Sequence, residues 1–147
     1  MTDRDALIEA VTREVIATLG VDDDCTGDDC AVLQSGHRGR VDLLKTDCLV
    51  EGIHYTSATP PAKVGWKAVA RVLSDFAAMG GQAEHLLVTT VLPPDREVRW
   101  AEQLYRGMNK CAVRFGAVIV GVISWLGSGF IGENGRYEVL VVRKKIS

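Results

Sequence analysis

The most informative stretch for the fold is Val72-Leu73-Ser74-Asp75-Phe76-Ala77-Ala78-Met79-Gly80. Its pattern is typical of the last turns of a helix in which nearly every residue is apolar and one is an aspartate. Asp75 borders the apolar stripe and lies near the helix C-terminus, where the helix dipole disfavours an anion. Both placements cost free energy, so we expect a cation beside this carboxylate. The alternatives are a side chain that reaches water and an ion pair with Arg71, one turn earlier.

Helical and extended segments alternate on both sides of this stretch. Apolar spacing and Gly or Pro boundaries predict helices from Asp5 to Leu19, from about Lys63 to Met79, and from Pro93-Pro94-Asp95 to Gly116. Strands are predicted at Cys30 to Gln34, Val41 to Val50, His85 to Leu92, Ala117 to Ile123 and Tyr137 to Val142. This order predicts an α+β fold, with a mixed sheet of about four to six strands and helices on one sheet face.

Composition restricts the class of protein. The chain has 147 residues, and 17 Lys and Arg against 19 Asp and Glu give a formal charge of −2. These values predict one globular domain over 1–147 and give no reason to expect a nucleic-acid partner. No apolar stretch approaches the roughly 20 residues of a membrane-spanning helix, and the acidic N-terminus does not resemble a secretory signal. We therefore expect a cytoplasmic protein with reduced cysteines, a zinc site at Cys25 and Cys30 being a minor alternative.

Two further acidic positions are candidate metal ligands. Gly27-Asp28-Asp29 precedes a short strand, and adjacent carboxylates repel each other unless a cation neutralises them. Taken alone, a turn solvated by water explains this pair better. Asp47 follows Thr46 in an otherwise mostly apolar strand, where a charge beside the core needs a partner. An ideal strand sends the two side chains to opposite faces, so both can serve one site only at a bulge or at the strand end. Since the chain lacks a glycine-rich phosphate loop, scattered aspartates predict a metal-filled phosphate site instead.

These segments belong to a longer ordered series. The series is Gly27-Asp28-Asp29-Cys30-Ala31-Val32-Leu33, Thr46-Asp47-Cys48-Leu49-Val50-Glu51-Gly52-Ile53-His54-Tyr55, Gly65-Trp66-Lys67-Ala68, Ser74-Asp75-Phe76-Ala77-Ala78-Met79-Gly80 and Leu104-Tyr105-Arg106-Gly107. Together they resemble the thiamine-monophosphate kinase family, in the superfamily that includes aminoimidazole ribonucleotide synthetase. The resemblance runs from about residue 27 to 121.

The resemblance implies a set of site residues and ligands. It implies magnesium-dependent transfer of the ATP γ-phosphoryl group to thiamine phosphate, which gives thiamine diphosphate without a covalent enzyme intermediate. The implied magnesium ligands are Asp28, Thr46, Asp47 and Asp75; His54 is expected to contact thiamine phosphate, and Tyr105 and Gly121 are expected to lie against the nucleotide. The family's N-terminal domains also pair through their sheets into a barrel, so a homodimer is expected.

The sequence departs from the family after residue 121. The family places Gly-Gly-Asp-Thr after this strand, with a metal-binding aspartate, whereas this chain has Gly121-Val122-Ile123-Ser124-Trp125. Ile123 stands where the aspartate is expected. We therefore expect 122–147 to form a divergent tail and the family's C-terminal domain to be missing from this chain. Val72 also occupies a position where the family often has asparagine.

The functional expectation is a thiamine-phosphate kinase-like protein that is folded, dimeric and nearly inactive in this 147-residue form. No catalytic residue is assigned. The first alternative is a non-catalytic nucleotide- and metal-binding or dimerisation module. A further alternative is a kinase for another phosphorylated substrate.

Overall fold

The computed structural model describes residues 6–7, 10–11, 13–14, 17–18, 30–34, 41–126 and 137–145. Its strands are β1 (Ala31–Gln34), β2 (Val41–Val50), β3 (His85–Leu92), β4 (Val118–Leu126) and β5 (Tyr137–Lys145), and its helices are α1 (Pro61–Ala78) and α2 (Val98–Arg114). The described residues between 6 and 18 are also helical. The predicted α+β class is confirmed, and the elements follow the predicted order.

One mixed sheet contains the five described strands, in the order β1-β2-β5-β3-β4. β3 and β4 are parallel, while every other neighbouring pair is antiparallel. The last strand along the chain, β5, therefore lies at the centre of the sheet. β2 pairs with β5 in unbroken register from Asp42 to Val50, so β2 has no bulge at Thr46 or Asp47.

The two helices pack against the same face of the sheet. On β3, Leu86, Val88 and Thr90 are fully buried or nearly so, whereas the intervening Leu87 is 46% exposed. This alternation is expected of a strand with one covered and one open face. The core between the sheet and the helices includes Leu43, Leu49, Val64, Val69, Val72, Phe76, Leu86, Val88, Leu104, Met108 and Cys111.

Both helices have well-defined ends. Pro61 begins α1, where its missing N–H costs no intrahelical hydrogen bond. At the other end, Gly80 adopts a φ of 69°, and the Gly81 N–H donates to the carbonyl of Phe76 at 2.7 Å. This arrangement is a Schellman motif, which satisfies carbonyl groups that the helix leaves unpaired. Neither described helix has the apolar length needed to cross a membrane.

The helices cross at two glycines. A Cβ atom added at Gly65 of α1 would overlap the backbone carbonyl oxygen of Leu104, and one added at Gly107 of α2 would overlap that of Ala62. The two backbones thus touch directly, and only glycine permits this approach. The crossing fixes α1 beside β2, where the charged residues of the candidate site lie.

Candidate functional site

Four charged side chains form the centre of the candidate site, between β2 and α1. Arg71 binds Asp47 with two hydrogen bonds, from Nε to Oδ2 at 2.9 Å and from Nη2 to Oδ1 at 3.2 Å. Lys45 Nζ lies 2.8 Å from Asp75 Oδ2. We call these four residues the β2–α1 charge cluster. Its two positive and two negative charges cancel.

The periodicity of the two elements explains this pairing. Lys45 and Asp47 are two residues apart on a strand, so their side chains share the face that carries the helices. Arg71 and Asp75 are four residues apart on a helix, so they also share a face. The partner of Asp75 in the structure is therefore Lys45, a side chain of the protein itself. The alternative pair between Asp75 and Arg71 is not formed, because Arg71 binds Asp47.

Lys45 has a shifted pKa within the cluster. The hydrogen bond that Lys45 donates to Asp75 is the main reason why the pKa of Lys45 is raised above its usual value, with burial acting in the opposite sense. Asp47 also accepts a hydrogen bond from the Cys48 N–H, at 2.7 Å to Oδ1. Asp47 is thus bound by donors on both oxygens, while Asp75 depends chiefly on Lys45.

Two of the predicted site residues lie on the opposite face of the sheet. Thr46 is exposed and, since β2 has no bulge, lies on the face away from Asp47. Gly121 is paired in register with Leu87 of the same open face, and a Cβ at Gly121 would lie 2.7 Å from Leu87 Cδ2. Ile123 is 66% exposed and is paired with Thr89, also on that face. The structure therefore separates the side chain of Thr46, and Gly121, from the charge cluster.

His54 lies in the tight loop that follows β2. The Val50 N–H donates to its Nδ1 at 3.0 Å, and the His54 N–H donates to the Val50 carbonyl at 2.8 Å. Lys67 of α1 donates from Nζ to the His54 carbonyl at 2.5 Å. Because Nδ1 accepts a hydrogen bond, the neutral imidazole carries its proton on Nε2. His54 can therefore act as a hydrogen-bond donor to an anion.

Tyr105 extends from α2 to the covered face of the sheet. Its hydroxyl group lies 2.6 Å from Thr90 Oγ1 and 3.1 Å from Ser124 Oγ. Thr90 is completely buried, so this contact satisfies a hydroxyl that water cannot reach. β3 is two strands away from β2, or roughly 10 Å. Tyr105 is thus on the same face as the charge cluster but bridges two other strands.

The metal-ligand set predicted from the sequence is only partly placed. Asp28 lies outside the described residues. In the part of the chain that the structure describes, no three His, Cys, Asp or Glu side chains are grouped closely enough to hold a metal ion. Asp47 and Asp75 share the charge cluster.

Sequence reasoning predicted none of the three charged contacts among the described residues, since Arg71 was considered only as a partner of Asp75. The role of Lys45 was detectable in principle. Lys45 and Asp47 share one face of a strand, and Arg71 and Asp75 share one face of a helix, so two ion pairs can form where the strand and the helix pack together. The ion pair of Arg96 with Glu51, at 3.0 Å, joins two loops 45 residues apart and carries no comparable local signal.

The described elements and the sheet order define an α+β domain with two helices on one face of a mixed sheet. The family described as AIR synthase related protein, N-terminal domain, matches residues 27–126. The chain belongs to this family.

The curated relatives that the chain matches include thiamine-monophosphate kinases. The enzyme of Synechococcus elongatus is 41% identical over 96 residues, which cover 65% of this chain and 29% of that protein. The enzyme of Bacillus subtilis is 32% identical over 120 residues, covering 78% and 35%. The chain thus spans about a third of the length of these curated relatives.

Solved structures show the same similarity. AaThiL complexed with AMPPCP and TMP has a TM-score of 0.80 and 27% identity, over 92% of this chain and 40% of that chain. Thiamine monophosphate kinase from Aquifex aeolicus has a TM-score of 0.74 and 28% identity, over 97% of this chain and 44% of that chain.

Proposed function

We propose that this chain forms the N-terminal domain of a thiamine-phosphate kinase-like protein, which uses Mg²⁺ to transfer the γ-phosphoryl group of ATP to thiamine phosphate. The observation that carries the proposal is the β2–α1 charge cluster, which unites Asp47 and Asp75 from separate sequence motifs. The similarity to a kinase solved with AMPPCP and TMP supports ATP and thiamine phosphate as the two ligands.

The donor chemistry of the cluster fits a hard divalent cation, which binds carboxylate and carbonyl oxygens. Asp47 and Asp75 would hold Mg²⁺ together with Asp28, and Thr46 would contribute through its main chain because its side chain lies on the other face. A bound ion would take over the neutralising role that Lys45 and Arg71 now have. When bound, Mg²⁺ neutralises charge on the transferring phosphoryl group.

The remaining roles fall to groups of the chain itself. The Nε2–H of His54 would donate to a phosphate oxygen of thiamine phosphate and so orient the acceptor. Tyr105 would lie against the nucleotide on the covered face, and Gly121 would contact it through its main chain at the edge strand β4. Because phosphoryl transfer depends on positioning and charge stabilisation, no residue of this chain needs to act as a covalent nucleophile.

A homodimer and a cytoplasmic location complete the proposal. The open face of the sheet exposes large apolar side chains at Leu33, Leu87 and Ile123, which are 44%, 46% and 66% exposed. Such a face favours association with a second apolar surface, and we propose that a second copy of this chain covers it.

The described cysteines Cys30, Cys48 and Cys111 are free thiols. Reduced thiols are typical of the cytoplasm, which supports the proposed location.

A non-catalytic binding module is the second candidate function, and one observation favours it. Ile123 cannot coordinate a metal ion, although it occupies the position of an expected carboxylate, and its side chain lies exposed on the open face. Loss of a metal ligand lowers the rate of phosphoryl transfer more than it lowers nucleotide affinity. This candidate predicts nucleotide binding without turnover.

Thermal melts and product analysis test the proposal. Mg²⁺–ATP is expected to stabilise the chain by about 2.7 kcal/mol at 100 times its Kd, and Asp75→Asn is expected to abolish this shift. Asp95→Asn, at an exposed loop position, is the matched control and should retain it. Chromatography of thiamine diphosphate then separates the candidates: product supports the kinase, and a thermal shift without product supports the binding module. No shift with Mg²⁺–ATP contradicts both.

A further inference from the structure

Arg96 makes a set of contacts that the proposed reaction does not use. It lies in the loop before α2, and its Nη2 donates to Glu51 Oε2 at 3.0 Å. Its guanidinium also lies over the ring of Trp100, 4.6 Å from the ring centroid. Arg96 is 16% exposed and Glu51 is 11% exposed, so most of the ion pair is removed from water.

This ion pair is an inefficient way to stabilise a fold. Removal of two charges from water costs free energy that their attraction only partly recovers. In addition, Nε of Arg96 is buried and has no hydrogen-bond partner within the described part of the chain, which adds a further cost. The effect of the pair on the position of Glu51 is therefore more informative than its contribution to stability.

Glu51 is the first residue of the loop that carries His54. A bridge pairs Glu51 with Tyr55, and the Gly52 N–H donates to the Tyr55 carbonyl at 2.7 Å. The preceding residue, Val50, supplies the N–H that fixes Nδ1 of His54. An ion pair that holds Glu51 in place therefore restrains both Val50 and His54, whose hydrogen bond sets the direction of the imidazole.

We propose that Arg96 is a positioning residue that holds the loop from Glu51 to Tyr55, and with it the imidazole of His54, through its ion pair with Glu51. The link to the acceptor phosphate rests on the proposed function, whereas the effect on the loop does not. Trp100 holds the guanidinium from α2, so the helix and the loop after β2 are connected through one side chain.

Hydrogen exchange of the unliganded chain tests the loop directly. Arg96→Met removes the charge but keeps much of the aliphatic side chain, and Arg99→Met is the matched control at an exposed position in the first turn of α2, three residues further on. We expect the amides of Gly52 and His54 to exchange roughly tenfold faster in Arg96→Met, because a local opening becomes easier. The amide of Leu104, in the core, should be unchanged.

The Glu51→Gln variant and the double variant provide the second measurement. Both are expected to resemble Arg96→Met, since each removes the ion pair between Arg96 and Glu51. In ¹⁵N spectra, the His54 ring should lose the signature of an Nδ1 acceptor in all three variants and keep it in Arg99→Met. Unchanged exchange and ring signals would overturn the proposal, as would equal acceleration at Leu104, because that result indicates only a loss of global stability.

Binding of thiamine phosphate, measured by calorimetry, separates this proposal from the proposed function. Weaker binding by Arg96→Met than by Arg99→Met, with loosened loop amides, supports both. If the unaltered chain does not bind thiamine phosphate, but the loop amides still exchange faster in Arg96→Met, the proposed function fails and the positioning role stands. If binding occurs and neither the loop nor the affinity responds to Arg96→Met, the positioning role is wrong.

Discussion

Breaking the ion pair between Lys45 and Asp75 is expected to cost about 1 kcal/mol of coupling free energy. The two charged groups lie 2.8 Å apart, and their side chains are 23% and 24% exposed. Coulomb's law at an effective dielectric constant of about 20 gives roughly 6 kcal/mol at this distance. Desolvation and the ordering of two side chains oppose most of that attraction. The expected coupling free energy therefore lies between that of an exposed ion pair and that of a buried hydrogen bond to a charged group.

A double-mutant cycle measures this coupling. The free energy of unfolding is determined by urea denaturation for the unaltered chain, Lys45→Met, Asp75→Asn and the double variant. The parallel variant Lys110→Met, at an exposed position of α2, controls for loss of a surface lysine. A coupling free energy indistinguishable from zero would refute the argument that Lys45 neutralises Asp75.

The pH dependence of the same coupling has a defined sign. Since the pKa of Lys45 is raised in the folded state, chiefly by its hydrogen bond with Asp75, folding favours the protonated lysine. The resulting stability is fully present below the unfolded-state pKa of 10.5 and is lost as the pH rises through the higher folded-state pKa. The unaltered chain should therefore lose more stability than Lys45→Met above about pH 10.5. Equal losses would contradict the shift.

Three further predictions concern the helices and the core. Gly65→Ala should destabilise the chain by about 2 kcal/mol or more in urea denaturation, since the added methyl group overlaps α2; full stability would contradict the direct backbone contact. Tyr105→Phe should cost about 1–2 kcal/mol because the buried hydroxyl of Thr90 loses its partner, and Thr90→Val in the same background should recover part of this loss. Burial raises the pKa of the Cys111 thiol to about 11, so mass spectrometry after alkylation at pH 8 should find Cys48 modified and Cys111 protected until denaturant is added. Labelling of Cys111 in the folded chain would show that its site is open.

The elements of the fold were predictable because their signals are local. Val41–Val50 and His85–Leu92 were predicted with the bounds that the structure has, since β-branched and apolar residues end at turn-forming residues there. Helix α1 begins at Pro61, earlier than the predicted Lys63, because Pro60-Pro61 is compatible with the first turn. The position of β5 at the centre of the sheet was not predictable, since strand order depends on contacts between distant segments.

The candidate site was predictable only in part. The unfavourable placement of Asp75 indicated that this carboxylate needs a positively charged partner, because an isolated carboxylate near a core is costly. In the structure that partner is Lys45, and a metal ion at Asp75 stays a prediction. The identity of the charged partner depended on which strand packs under α1, and Lys45 comes from a segment 30 residues earlier. For Thr46, alternation along the strand already predicted separation from Asp47 unless a bulge intervened, and β2 has none.

The glycine crossing between α1 and α2 limits how this domain can respond to a ligand. Helices separated by a layer of side chains can slide when rotamers change, but Gly65 and Gly107 leave no such layer. Translation of one helix along the other would press a carbonyl oxygen into the opposing backbone, so the pair behaves as one rigid body. We therefore expect Asp75 on α1 and Tyr105 on α2 to keep a fixed separation when a ligand binds between them and the sheet.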